Sequence, residues 1–271
     1  MPAPRVRLFF FITLALLATS QSSPAAQKLM LVGGGNTPTK ALNRFMSWSG
    51  GTAAEVLIIP WNTDTPDDCF TDQKTQLAPY HPAAVLEAPA GATMGTPASK
   101  SQFLASLAQA TGVFFCGGDQ TLGMAAMADA EVVDSLRKKY DQGTPFGGTS
   151  AGTAIMSQIM ITGAGDPTSL GSQATITAPG LGLLPAGVIV DQHFVKRQRE
   201  NRLISLILQH RDQLGVGIDQ DNALMVKDNR FAEAVGPTEI MTIEAEALSE
   251  KLIIGLLHDG EHYDLEKREK L

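Results

Sequence analysis

Short apolar runs alternate with helix-forming stretches along most of this chain, and this alternation limits the fold to a sheet covered by helices. Seven runs are predicted as strands: 28–32, 55–60, 84–87, 112–116, 145–148, 187–190 and 223–227. Six stretches are predicted as helices: 39–48, 99–110, 120–128, 131–142, 151–160 and 197–210. The pattern predicts an α/β fold with a doubly wound, mostly parallel sheet and helices on both faces. No repeat or linker divides the sequence, so we expect a single domain over residues 27–271.

The first 26 residues have the pattern of a secretory signal peptide. Arg5 and Arg7 precede a short apolar run at 8–17, and small and polar residues follow at 20–26. The run is shorter than a typical membrane span, although a retained N-terminal anchor is the alternative. We therefore expect an exported protein, periplasmic or extracellular, with no membrane contact once the signal is removed. The formal net charge of −7 argues against a non-specific nucleic-acid binder.

The two cysteines are predicted to remain separate. Export would permit a disulfide, but Cys116 ends an apolar strand and Cys69 lies in a polar stretch, with nothing local to bring them together. Cys116 is expected to behave as a small buried hydrophobic residue. The spacing also lacks the C-x-x-C pattern of a redox or zinc site.

Four glycine-rich or polar segments begin where predicted strands end. They are 33–36, 117–120, the turn around Ser150, and 191–194. Because ligands of a doubly wound sheet gather at the carboxyl ends of its strands, these segments are expected to meet on one rim. The first segment does not fit a dinucleotide fingerprint, since Pro38 occupies the place of the third glycine. We expect no nucleotide cofactor and no metal, and a close backbone approach at 33–36 instead.

The segment Gly148-Thr149-Ser150-Ala151-Gly152 is a G-x-S-x-G motif between a predicted strand and a predicted helix. Small neighbours allow a sharp turn that exposes a serine Oγ near a helix N-terminus, as in a nucleophile elbow. A tightly packed βα turn without chemistry is the alternative, because this motif recurs by chance.

A serine nucleophile needs a base, and histidine is the usual one near neutral pH. Of the five histidines, only His193 follows an apolar strand and precedes a helix. An oxyanion hole needs two N–H groups directed at one point. The amide of Ala151 is one candidate, and the turn at Gly117-Gly118-Asp119 can present the other.

These segments resemble the signatures of cyanophycinases, serine peptidases related to dipeptidase E with a fold similar to class I glutamine amidotransferases. The resemblance is carried by the following stretches, which occur in order along the chain: 115–120, 148–152, 191–194, Arg197-x-Arg199-x-x-Arg202-Leu203, 217–219, 259–260 and 263–265. Asp191-Gln192-His193-Phe194 with the spaced arginines is the most specific part.

The resemblance implies hydrolysis of cyanophycin, a poly-aspartate with arginine on each β-carboxyl, to β-Asp-Arg dipeptides. It implies Ser150 as nucleophile, His193 as base, and Gly118 and Ala151 as oxyanion-hole amides. It places substrate contacts at Gln120, Asp191, Gln192, Arg197, Arg199 and Arg202. Helical spacing puts Arg199 and Arg202 on one face and Arg197 elsewhere. A cyanophycin-type peptide is the expected partner, and a homodimer stays open.

One position departs from the family pattern. The third triad member of the family is a glutamate, and this chain has Gln220 there, within Gly217-Ile218-Asp219-Gln220-Asp221. A glutamine can orient a histidine but cannot offset the charge of an imidazolium. Alternation along an extended segment is expected to turn Asp219 and Asp221 away from the side that Gln220 faces. Three functions therefore stay open: a cyanophycin-cleaving peptidase, a dipeptidase E-like peptidase for short aspartyl peptides, and a silent polymer binder.

Overall fold

A computed structural model describes residues 26–166, 169–171, 175–246, 249 and 251–271. The predicted signal segment, apart from Ala26, lies outside the described residues. The helices are α1 Thr39–Ser49, α2 Pro66–Leu77, α3 Pro97–Gln109, α4 Gln120–Ala126, α5 Ala130–Asp141, α6 Ala151–Ala154 and α7 Glu200–Gln209. The strands are β1 Lys28–Val32, β2 Glu55–Ile59, β3 Ala84–Glu87, β4 Gly112–Phe115, β5 Phe146–Thr149, β6 Ile159–Gly165, β7 Thr175–Pro179, β8 Val188–Gln192, β9 Leu214–Ile218, β10 Ala223–Lys227, β11 Phe231–Val235, β12 Ile240–Ala245, β13 Leu252–Leu257, β14 His262–Asp264 and β15 Glu269–Lys270. Within the described part, no helix has the length and apolar character needed to cross a membrane.

A nine-stranded sheet forms the centre of the molecule, in the order β15-β14-β11-β10-β1-β5-β4-β2-β3. The strands from β1 to β3 in this order pair in parallel, as expected from the alternation of strands and helices. The strands from β10 to β15 continue the sheet as antiparallel neighbours. The α/β class is therefore confirmed, and the antiparallel half is an addition that the sequence pattern did not indicate.

Helices cover both faces of the parallel half. Successive residues of β1 point to opposite faces, so Met30 packs in a core with α1 whereas Leu31 packs in a second core with α3 and α5. Both side chains are fully buried. Strands buried on both sides lose the alternation of apolar and polar residues, which explains the continuous apolar runs of the sequence.

The strand predicted at 187–190 belongs to a separate sheet. This four-stranded sheet has the order β13-β12-β9-β8, and α7 packs against it. Strands β8 and β9 are parallel, with Gln192 opposite Ile218. Their carboxyl ends therefore bring the segments after residues 192 and 218 to the same place.

The helix predicted over 151–160 is too long. Helix α6 ends at Ala154, and β6 begins at Ile159. The carbonyl of Ile155 accepts the N–H of Leu181 at 2.7 Å, and the carbonyl of Met156 accepts the N–H of Leu183 at 2.9 Å. N–H groups of the loop after β7 thus bond carbonyl groups that a longer helix would need, so the helix ends at Ala154.

The prediction of two separate cysteines is wrong. Cys69 of α2 and Cys116, the residue after β4, form a disulfide with their Cα atoms 6.3 Å apart. The parallel sheet places α2 over the end of β4, a proximity that 47 residues of sequence separation conceal. Cys116 is nevertheless fully buried, as expected.

Candidate active site

Ser150 occupies the sharp turn between β5 and α6. Its φ of 53° and ψ of −116° are rarely adopted by residues other than glycine. The glycines of the motif permit the turn: a Cβ at Gly148 would collide with the carbonyl of Gly152, and a Cβ at Gly152 would collide with that of Phe115. The geometry is that of a nucleophile elbow.

His193 lies at the end of β8 and faces this serine. Its Nε2 is 2.8 Å from Ser150 Oγ, and its backbone N–H donates to the carbonyl of Gly33 at 2.7 Å. Gly34 lies directly against the imidazole, so that a Cβ there would overlap the ring. The glycine run 33–35 thus provides the expected close backbone approach, on the side of the histidine.

Gln220 completes a line of three side chains. Its Nε2 is 2.7 Å from His193 Nδ1. The neighbouring carboxylates have other partners, since Asp219 accepts the N–H of Lys196 and Asp221 accepts the N–H of Asn36. Asp219 and Asp221 therefore turn away from the side that Gln220 faces, as expected for alternating side chains along this segment.

The amide of Gln220 can hold either tautomer of His193. When the amide nitrogen donates to Nδ1, the imidazole hydrogen resides on Nε2 and points at Ser150. When the amide turns its oxygen to Nδ1, Nε2 is free to accept the serine proton. Only the second arrangement is competent for base catalysis.

The electrostatic surroundings of His193 favour its neutral form. Burial, with Arg197 and Arg199 nearby, lowers the pKa of His193 to about 4 although Asp219 opposes the shift. The residue is only 6% exposed. At neutral pH the imidazole is therefore neutral and a weak proton acceptor, and no carboxylate among the described residues contacts it to raise its basicity.

Gly118 lines the same cavity as Ser150, and Ala151 is the residue that follows the serine. Ala151 starts α6, where its N–H has no preceding turn to bond. Gly118 has a φ of 127°, and a Cβ there would collide with the carbonyl of Asn62. These positions suit the predicted oxyanion hole, whose role stays a prediction.

Asn62 holds the Gly118 turn and was missed from the sequence. Its Nδ2 donates to the carbonyl of Cys116 at 2.7 Å, and its own carbonyl accepts the N–H of Asp119 at 2.5 Å. The residue is fully buried. The one signal in the sequence is that this asparagine follows a buried strand and Trp61, and that signal is weak.

A cavity of about 600 Å³ opens beside Ser150. Its wall contains four of the six predicted substrate contacts, Gln120, Gln192, Arg197 and Arg199. The Arg199 guanidinium donates to the side-chain oxygen of Gln192 at 2.7 Å, and that oxygen is 3.4 Å from Ser150 Oγ. Burial and Arg202 lower the pKa of Arg199 to about 10, so it remains a cation at neutral pH.

The other two predicted contacts, Asp191 and Arg202, do not line this cavity. They form a two-pronged ion pair with each other, with Arg202 Nε 2.6 Å from the carboxylate, and are 1% and 4% exposed. They lie behind Gln192 and Arg199, since Asp191 accepts the N–H of Gln192 and lies 3.9 Å from the Arg199 guanidinium. Their direct contact with substrate stays a prediction. No group of three or more metal-ligating side chains occurs among the described residues.

The family model described as peptidase family S51 matches residues 29–234. This segment contains the serine, the histidine, the glutamine and the cavity wall. The chain belongs to peptidase family S51. The match to the family model thus spans both the parallel half of the sheet and the candidate active site.

Curated relatives of this S51 chain are named cyanophycinases. The one from Trichormus variabilis is 37% identical over 150 residues, which are 55% of this chain and 50% of that protein. The chain thus spans about half the length of this relative. The one from Geminocystis herdmanii is 31% identical over 209 residues, covering 77% of this chain and 76% of that protein.

A solved structure supports the fold of this S51 chain. A peptidase from an acI-B1 actinobacterium superposes with a TM-score of 0.67 at 17% identity, covering 88% of this chain and 96% of the other. At that identity the similarity concerns the fold alone.

Proposed function

We propose that this chain is a serine peptidase that hydrolyses cyanophycin and releases β-Asp-Arg dipeptides. The observation that carries the proposal is the line from Ser150 through His193 to Gln220, which opens onto a cavity with Arg197 on its wall. The name of the similar proteins supports the substrate.

The proposed reaction is acyl transfer to Ser150. His193 Nε2 removes the serine proton as Oγ attacks the scissile carbonyl. The resulting oxyanion accepts hydrogen bonds from the backbone N–H groups of Gly118 and Ala151. The imidazolium then protonates the leaving amine, which departs. Water, deprotonated by His193, cleaves the acyl-enzyme and restores the serine.

The cavity has the charges that the substrate would require. Each arginine branch of cyanophycin carries a free carboxylate, which a guanidinium can bind through two parallel hydrogen bonds. Arg197 and Arg199 present such groups beside the nucleophile. The polymer's own guanidinium can approach Asp119, which also lies on the wall.

Gln220 supports a second candidate, a binder of the same polymer with little or no turnover. The structure contains no carboxylate in hydrogen-bond contact with His193 among the described residues. An imidazolium formed there would lack the stabilisation of a carboxylate. The binder would retain the cavity and its arginines.

Incubation with cyanophycin and detection of β-Asp-Arg by mass spectrometry tests the proposal. We expect product with the wild type and at least a 10³-fold lower rate with Ser150→Ala, because a triad loses most of its rate without its nucleophile. Short α-aspartyl dipeptides serve as the comparison substrate. Faster cleavage of those dipeptides would favour a dipeptidase E-like peptidase, and polymer binding without product would favour the binder.

We also propose that the protein is exported and acts on polymer outside the cytoplasm. The charged, apolar and small-residue order of residues 1–26 supports this. The N-terminal sequence and cell fraction of the native protein test it. A homodimer stays a proposal that sedimentation velocity would test.

A further inference from the structure

A second groove lies next to the active-site cavity. Its volume is about 560 Å³, and its wall includes Trp61, Thr63, Asp64, Gly95 and Leu122. The groove is bounded by the segment after β2, the segment before α3, and helix α4. None of these wall residues takes part in the reaction described above.

The groove and the active-site cavity share a thin wall. Thr121 lines the cavity and the next residue of α4, Leu122, lines the groove. On the other side, an atom placed at the Cβ position of Gly118 would be 3.2 Å from Thr63 Cα. The groove therefore lies beside the Gly118 turn, directly across this wall from the cavity that Ser150 lines.

We propose that this groove binds the next unit of a branched aspartyl-arginyl polymer while Ser150 attacks the terminal one. This subsite rests on the proposed function. Its occupant is an arginyl branch, with its aliphatic stem on the apolar wall and its guanidinium at the Asp64 carboxylate.

The wall has the chemistry for such a branch. Leu122 is 48% exposed and offers an apolar surface to a methylene stem. Asp64 is the sole charged side chain among the described residues that line the groove, and it has no ion-pair partner among them. One carboxylate facing an apolar floor is complementary to one guanidinium at the end of an aliphatic stem.

Gly95 allows the groove to be filled. A Cβ at this position would meet nothing within 4 Å, and its backbone lies outside the positive-φ region that disfavours side chains. Gly95→Phe should therefore fold normally and place a large side chain on the wall of the groove. It provides a steric test that does not depend on charge.

The test measures binding in a Ser150→Ala background, where substrate is not consumed. A single β-Asp-Arg unit and an oligomer of two such units are titrated by calorimetry. We expect Asp64→Asn to weaken binding of the two-unit oligomer about two- to fivefold, the range of an exposed charge pair, and to leave binding of the single unit unchanged. Gly95→Phe should show the same selectivity for length.

Asp68→Asn is the matched control, because Asp68 is an exposed carboxylate of α2 outside the groove. It should leave both affinities unchanged. Equal effects of Asp64→Asn and Gly95→Phe on the single unit and on the two-unit oligomer, or no effect on either ligand, would overturn the groove proposal even if wild type hydrolyses the polymer. A length-selective loss without wild-type hydrolysis would uphold the groove and refute the peptidase function. If neither ligand binds, the groove proposal and the proposed peptidase function are both overturned.

Discussion

Gln220 is the residue on which the activity of this chain depends most. It contacts His193 where a carboxylate would stabilise the imidazolium. We predict that Gln220→Glu raises turnover of cyanophycin at least tenfold, equivalent to about 1.4 kcal/mol of transition-state stabilisation. The carboxylate should also raise the pKa of His193 from about 4, so the acidic limb of the kcat/KM profile should move to higher pH.

Steady-state kinetics across pH measure both effects. Gln220→Leu is the control, since a leucine cannot bond Nδ1 and should turn over more slowly than wild type. KM should change little, because Gln220 does not line the cavity. If Gln220→Glu leaves the rate and the acidic limb where they were, another acid already assists His193.

At the scale of elements, the disulfide connects α2 to the end of β4, two residues before Gly118. Cross-linking across 47 residues stabilises the fold by on the order of 4 kcal/mol in the loop-entropy model. We predict that the double variant Cys69→Ala/Cys116→Ala unfolds at lower urea concentration and has a lower kcat, because the Gly118 turn loses an anchor. Urea denaturation with and without reductant measures the first effect.

Reductant should destabilise the wild type and leave the double variant unchanged. Asn62 holds the same turn by hydrogen bonds, so kcat should fall only in part. Equal urea midpoints for the wild type in both redox states would show that the disulfide adds no stability.

For the whole molecule, His193 couples stability to pH. Its pKa is about 4 in the folded state and near the ordinary 6.5 in the unfolded chain. Between these values the unfolded chain binds one proton more, so the free energy of unfolding should fall by up to about 1.4 kcal/mol per pH unit as pH decreases from 6.5 to 4. The Arg230 guanidinium lowers the pKa of Asp264 to about 2, so the titration of this carboxyl affects stability at a lower pH than that of His193.

Urea titrations at pH 7, 6, 5 and 4 measure this slope. His193→Gln removes the titrating group and should flatten the curve in that range. A parallel decrease in the wild type and the variant would assign the pH dependence to other groups.

The sequence by itself determined the local elements and the order of the site residues. Apolar runs gave strands such as β1 with the predicted bounds, and the glycines around Ser150 predicted its sharp turn. These features depend on periodicity and on the conformational freedom of neighbouring residues. Helix α2 was overlooked because it buries little of its surface, although Pro66 and two acidic residues mark its start.

Only the tertiary structure decided what depends on distant contacts. It paired Cys69 with Cys116, ended α6 at Ala154, and buried Arg202 against Asp191. It also brought Asn62 beneath the Gly118 turn. Each of these outcomes is set by which strands become neighbours in the sheets, because the partner groups lie far apart along the chain and no local pattern encodes their meeting.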